Sequence, residues 1–289
     1  MITPFDDEGG LDLDGAGTLA RWLAANGSDA LVVAGTTGEA PVLSDEERID
    51  LVRAVAESVT IPVIAGAGTN DTRHSMGMAA AATSAGAAGI LVVTPYYNRP
   101  AQSGLAQHFG AVASSTHLPV MVYDIPVRTG RKIANSTMLE LARGVRNIVA
   151  VKDASGDVAG AARLLAAAPS GFELYSGEDS LTLPLLAVGA AGAVSVASHW
   201  AGEAIGQMIA AFRKGDVEGA RETNAALDEA VSFQSSERCP NPLPAKAMCR
   251  VLGLPSGQCR LPMGAAPPEL EAEAKRLLDK LGDLAPHGR

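Results

Sequence analysis

Several side chains in this sequence stand in patterns that suit carbonyl chemistry. Lys152 follows the apolar run Ile148-Val149-Ala150-Val151. A lysine directly behind such a run is costly to desolvate, so its presence asks for a reason. An amine held partly neutral by its surroundings can attack a carbonyl carbon and form a Schiff base; the plain alternative is a strand-end lysine that reaches into solvent. Tyr123 closes a second run, Pro119-Val120-Met121-Val122. A phenol near a cationic amine can give and take the protons that imine chemistry moves, or it can simply pack its ring. Thr36 and Thr37 lie between Gly35 and Gly38. Glycines allow close backbone approach, so hydroxyls and amides there can hold a small carboxylate; they also suit an ordinary turn. Arg128 is planar and permanently charged, fit to grip a carboxylate with two hydrogen bonds, with Arg131 as its nearest competitor. Asp153, Glu178 and Asp179 could hold Mg2+, but these acids follow a tight glycine turn and that use would leave the tyrosines idle. His74, His108, His117, His199 and His287 show neither H-x-x-x-H nor H-E-x-x-H spacing, so no metal site is expected.

Composition narrows the classes. The chain has 289 residues, 47% hydrophobic and 19% charged, enough to bury a large core. Its net charge of −9 argues against nucleic acid or an anionic membrane as partner. Met1 leads straight into Thr3-Pro4-Phe5-Asp6-Asp7, so a basic-then-apolar leader is not expected. Cys239, Cys249 and Cys259 are odd in number and form no C-x-x-C pair. They read as free thiols of a reducing cytoplasm.

The elements that must position these groups alternate. Strands are expected at Ile2-Thr3, 30–34, 62–66, 89–93, 119–123, 148–153, 172–176 and 192–196. Helices are expected at 13–25, 71–84, 103–114, 136–143, 157–167, from 180, and at 202–212. A further helix opens at Ser44-Asp45-Glu46-Glu47, where Ser44 and Glu47 form a capping box. Strands alternating with amphipathic helices imply parallel pairing. About eight such units in about 215 residues is the pattern of an α/β fold, the (β/α)8 TIM barrel. A doubly wound open sheet is the rival, but no G-x-G-x-x-G opens the first unit. Beyond Lys214 only helices are expected, at 216–231, 244–252 and 268–281. The organisation is therefore a catalytic barrel over residues 1–214 and a small C-terminal helical appendage over 215–289.

In such a barrel, chemistry gathers where strands end. The strand ends here carry Gly35-Thr36-Thr37-Gly38-Glu39, Thr94-Pro95-Tyr96-Tyr97-Asn98, Tyr123-Asp124-Ile125-Pro126 with Arg128, Lys152-Asp153, and Gly177-Glu178-Asp179. Aromatic residues are only 4% of the chain, yet three of its four tyrosines fall at these ends. Among the lysines, Lys214, Lys246, Lys275 and Lys280 are expected on polar helix faces and Lys132 in a loop. Lys152 is the one expected to point from a strand end into the mouth.

These motifs, with Thr3-Pro4-Phe5, Arg99-Pro100, Ser176-Gly177-Glu178-Asp179 and Pro240-Asn241-Pro242-Leu243-Pro244-Ala245-Lys246, resemble the dihydrodipicolinate synthase / N-acetylneuraminate lyase family of pyruvate-dependent class I aldolases over nearly the full length. The Tyr-Tyr-Asn-Arg-Pro run, Arg128 and the appendage motif are most similar to its synthase branch. The resemblance implies that Lys152 forms an imine with pyruvate, and that the enamine condenses with L-aspartate 4-semialdehyde on the route to diaminopimelate and lysine. It implies Tyr123 as proton donor and acceptor, with Thr36 and Tyr97 relaying protons. It implies Thr37 on the pyruvate carboxylate, Arg128 on the semialdehyde carboxylate, and backbone carbonyls of Gly177 and Val194 near the amine. It further implies a cytoplasmic homotetramer built from tight dimers, Tyr97 reaching into the neighbouring subunit's site, and neither cofactor nor metal. The alternative within the family is a sister aldolase acting on N-acetylneuraminate, a 2-keto-3-deoxy sugar acid or a hydroxy-oxoglutarate. A non-catalytic pyruvate-binding regulator would need no proton relay.

The sequence departs from the family in places. Asp124 and His199 stand where many members have Asn, both expected near the rim. Asn70 and Tyr96 match residues of a lysine-inhibition site, but His74 stands where a glutamate would hold lysine's ammonium. Asp45 and Arg48 stand where histidines often occur. Weak or absent inhibition by lysine is expected.

Overall fold

The computed structural model of the chain describes residues 1–286; His287, and the end of the expected appendage with it, lies outside them. Seven strands form one sheet in chain order: β1 (Leu31–Val33), β2 (Val63–Gly66), β3 (Gly89–Val93), β4 (Val120–Asp124), β5 (Ile148–Asp153), β6 (Glu173–Ser176) and β7 (Gly192–Ala193). The ladders from β2 to β7 are all parallel. The middle strands read as unbroken apolar runs because both faces are covered: every residue of β4 is buried, as are the first four of β3. The sheet is the expected parallel α/β arrangement, with seven strands where eight were expected.

The missing one is Ile2-Thr3. No strand forms there: the Met1 ammonium donates to Val32 O at 2.6 Å, and the Ile2 amide donates to His199 Nε2 at 3.1 Å. At the other end, β7 is only two residues long, and just beyond it the Val194 amide donates to Ser176 O at 2.8 Å.

Several helices start where a short polar side chain caps them. Asp12, Asp71, Asp157 and Asp216 each accept the amide of the third residue on. The capping box is complete: Ser44 Oγ accepts from the Glu47 amide at 3.2 Å and Glu47 Oε2 from the Ser44 amide at 2.9 Å. The helix expected to open at Gly202 instead runs Ser198–Arg213, with a break at Ala201.

The chain divides into two compact units: residues 64–195, and residues 1–63 with 196–289. The first holds β3 to β7 and the helices between them. In the second, the described elements beyond Lys214 are all helical: Val217–Ala226, Asp228–Ser232, Leu243–Val251, Glu269–Leu281 and a short turn after it. They enclose a small core of Cys239, Leu243, Ala247, Cys259 and Leu270. All three cysteines are buried free thiols. Among the described residues, no helix is long and apolar enough to cross a membrane.

Candidate active site

In the unit of residues 64–195, parallel register sets the chemistry. Tyr123 of β4 is paired with Lys152 of β5, and Asp124 with Asp153. Equal register in a parallel pair puts the two side chains on the same face. Lys152 Nζ accordingly lies 4.1 Å from the centroid of the Tyr123 ring, and both residues are buried. The strand end is pinned by Thr94, whose hydroxyl donates to Tyr123 O at 3.0 Å. On the other side of β5, Lys152 is paired with Tyr175, the fourth tyrosine, whose hydroxyl donates to Glu173 Oε2 at 2.6 Å.

Gly177 follows β6 and closes over the lysine stem. A Cβ there would stand 2.9 Å from both Cγ and Cε of Lys152, so the absence of a side chain is what lets the amine take this course. Its amide donates to Asp153 O at 2.7 Å. Val194 is half-buried just past β7. Arg128 is exposed in the short helix Pro126–Thr129, next to Val127. Arg131 is set apart from it by donating to Arg99 O at 2.9 Å. Tyr97 is 90% exposed and has a left-handed φ of 73°, an uncommon backbone state for an aromatic residue.

Asp124 is buried and accepts the Ile133 amide at 3.2 Å. Burial pushes its carboxyl up to about 7, aided by neighbouring Asp153 and opposed by the Ile133 hydrogen bond and Lys132. Lys132 itself donates to Ser155 Oγ at 2.8 Å and pairs with Asp157 at 3.4 Å.

In the other unit, Thr36 and Thr37 form a tight turn after β1. The Gly38 and Ala40 amides donate to Gly35 O and the Glu39 amide donates to Thr36 O. A Cβ at Gly38 would be tight, 3.2 Å from backbone atoms of Ala34 and from Met1 O. Thr3 donates to Gly38 O at 2.6 Å. The turn is then held from far along the chain. Asn241 Nδ2 donates to Thr37 Oγ1 at 3.0 Å. Glu39, left-handed at φ 57°, forms an ion pair with Lys246 at 2.6 Å, with the two side chains 2% and 1% exposed. Lys246 Nζ also donates to Gln258 O at 2.9 Å and lies 4.0 Å from the Phe5 ring centroid. The Arg260 amide donates to Glu39 Oε2 at 2.9 Å, and its guanidinium grips Glu47 with two bonds of 2.8 and 2.6 Å.

One expectation fails here. Lys246 is not on a polar face: burial lowers its pKa, against the pull of Glu39. His199 is buried. Its Nδ1 bonds Val196 O at 2.8 Å while Nε2 accepts from Ile2, a neutral tautomer that burial holds down to about 3. Asn241 and the Glu39–Lys246 pair are the residues that reading for reactive groups missed. The cue was a glutamate at the end of a glycine-rich turn and a lysine in a proline-flanked helix.

A family model described as "Dihydrodipicolinate synthetase family" matches residues 1–281. The chain belongs to this family. It is 48% identical over 286 residues to a 4-hydroxy-tetrahydrodipicolinate synthase of Moorella thermoacetica, covering 98% of this chain and 97% of that one. It is 45% identical over 268 residues to the synthase of that name from Bacillus subtilis, covering 91% of each. Among solved structures, a dihydrodipicolinate synthase from Bacillus anthracis superposes with a TM-score of 0.93 at 40% identity, covering 96% of this chain and 95% of that one. One from Cyanidioschyzon merolae with lysine bound gives 0.93 at 41%, covering 98% and 96%. The expectation of a synthase in this family is borne out.

Proposed function

We propose that this chain condenses pyruvate with L-aspartate 4-semialdehyde through an imine on Lys152, as a 4-hydroxy-tetrahydrodipicolinate synthase. The observation that carries the mechanism is the buried amine 4.1 Å from the Tyr123 ring at matched strand ends. The neutral amine adds to the ketone carbon of pyruvate, and the carbinolamine loses water. The iminium draws electrons, so a methyl proton leaves and an enamine forms. The enamine carbon adds to the aldehyde, whose oxygen takes a proton. The amine of the condensed chain then attacks the imine carbon, closes the ring and expels Lys152. Tyr123 gives and takes the protons, relayed by Thr36 and Tyr97. Thr37 binds the pyruvate carboxylate, Arg128 the carboxylate of the semialdehyde, and the carbonyls of Gly177 and Val194 face the amine.

The same reading makes residues 1–214 a closed (β/α)8 TIM barrel and 215–289 a helical appendage. It makes the enzyme a cytoplasmic homotetramer; the 90% exposure of Tyr97 in one chain supports a phenol that completes a neighbour's site. No step calls on a cofactor or a metal. Because His74 cannot serve as the anionic partner of an ammonium, inhibition by lysine is weak or absent. A lysine titration of turnover with sub-millimolar half-inhibition would contradict this.

Borohydride reduction in the presence of pyruvate, followed by mass spectrometry, tests the core reading. The peptide holding Lys152 gains the reduced pyruvyl group, and Lys152→Ala gains nothing and loses turnover by more than about 1,000-fold. An adduct on another lysine, or full activity in the variant, refutes it. Comparing aspartate semialdehyde with sugar acids as acceptor then separates the synthase from a sister aldolase.

A further inference from the structure

The turn that carries Thr36 and Thr37 does not hold itself. Helix Leu243–Val251 and the residue two before it grip that turn at two points: Asn241 on Thr37, and Lys246 on Glu39 two residues later. The two contacts differ in kind. The ion pair fixes the backbone of the turn. The amide acts on the hydroxyl itself, because Asn241 Nδ2 is the donor and Thr37 Oγ1 the acceptor. A threonine hydroxyl has one hydrogen to donate. With its oxygen occupied by an incoming N–H, that hydrogen is turned away from Asn241 and left available for an anion. The other end of the amide, Oδ1, is buried and without a hydrogen-bond partner among the described residues, which costs its desolvation. An apolar residue would avoid that cost, so the amide is kept here for its donor.

We propose that Asn241 is a positioning residue for the keto acid: it orients the Thr37 hydroxyl so that its hydrogen points at the substrate carboxylate. This rests on the reading of Thr37 as the carboxylate ligand. Asn241→Asp is the sharpest probe, since the shape is conserved while the donor becomes an anionic acceptor. It draws the Thr37 hydrogen toward itself and places a negative charge beside an anionic substrate.

The experiment is steady-state kinetics on purified full-length protein for Asn241→Asp, Asn241→Ala, Thr37→Val and the double variant Thr37→Val/Asn241→Ala. Circular dichroism checks the fold, and borohydride trapping at saturating pyruvate checks that Lys152 still forms its imine. Asn241→Asp is expected to raise the pyruvate KM more than tenfold, and Asn241→Ala roughly threefold, with kcat within about twofold of wild type in both. In the Thr37→Val background, Asn241→Ala adds no further rise, because the hydroxyl it acts on is gone. The proposal is overturned if Thr37→Val raises KM while both Asn241 variants leave it unchanged, or if the Asn241 and Thr37 effects multiply independently. If Thr37→Val leaves KM unchanged, the underlying assignment of Thr37 is what fails, and the proposal falls with it. Should Asn241→Ala not fold, the isosteric Asn241→Asp alone decides: an unchanged pyruvate KM overturns the proposal.

Discussion

The strand-end pair and the threonine turn reach their geometry by opposite routes. Tyr123 and Lys152 are placed by ladder register: two short apolar runs pair in parallel, and the reactive groups fall side by side. Thr36 and Thr37 are placed by side chains far away in sequence, Asn241 standing 204 positions from Thr37. The first arrangement is robust because the backbone carries it, and only local crowding can spoil it. The second depends on a buried ion pair, which is a poor source of net stability but is costly to break. Loss of the ion pair at the turn should therefore be felt mainly in stability, and crowding of Lys152 at the strand ends mainly in turnover.

The largest effect that would sharpen this contrast is on stability. Lys246→Ala leaves Glu39 buried without its cation, and should cost about 3–5 kcal/mol of unfolding free energy. Glu39→Gln/Lys246→Met removes both charges and should recover part of that loss. Urea titration measures both. A loss below about 1 kcal/mol in Lys246→Ala would mean that the turn is not held this way.

Next comes a loss of activity with little loss of stability. In Gly177→Ala the new methyl meets Cγ and Cε of Lys152 at 2.9 Å and the Ala154 Cβ at 3.1 Å. The flexible lysine stem yields more easily than the backbone, so the amine moves and the fold survives. A misplacement of this size should lower kcat about 100-fold. Near-normal kcat, or a melting transition that collapses with activity, would break the claim that crowding at this strand end moves the amine and spares the fold.

Legibility in the sequence follows the same division. Helix starts at Ser44, Asp71 and Asp157 could be read because capping is a local exchange between a side chain and an amide three residues on. The runs that became β3, β4 and β5 could be read because buried parallel strands are apolar throughout. Lys152 and Tyr123 followed, as polar residues at the ends of such runs. Ile2-Thr3 misled because an imidazole, not a strand, takes the Ile2 amide. Lys246 misled because Lys246 and Arg250 at i and i+4 look like a solvent face. Nothing within a turn of Lys246 reveals that a glutamate beside the threonines neutralises it.

The smallest effect per step, spread over several pH units, concerns Asp124, whose carboxyl tests whether the strand-end region is insensitive to charge as well as to distant contacts. Burial raises it from an ordinary 3.8 to about 7. Below pH 4 both the folded and the unfolded chain hold this proton. Between about 4 and 7 the folded chain keeps it and the unfolded chain has lost it. Stability contributed by Asp124 is therefore fully present at low pH and declines as pH rises through that window, by at most about 1.4 kcal/mol per pH unit. Above pH 7 the loss is complete and the profile is flat again. Asp124→Asn is neutral throughout, so its stability minus that of wild type should grow from pH 4 to 7 and then level off. The difference cancels other titrating groups, including His199, which burial makes destabilising in the opposite direction as pH falls. Urea titrations of both proteins at pH 4.5, 5.5, 6.5 and 7.5 supply the comparison. A difference that stays constant across them would show that the Ile133 hydrogen bond and Lys132 offset the burial of the carboxylate, and that the end of β4 tolerates a full negative charge beside Asp153.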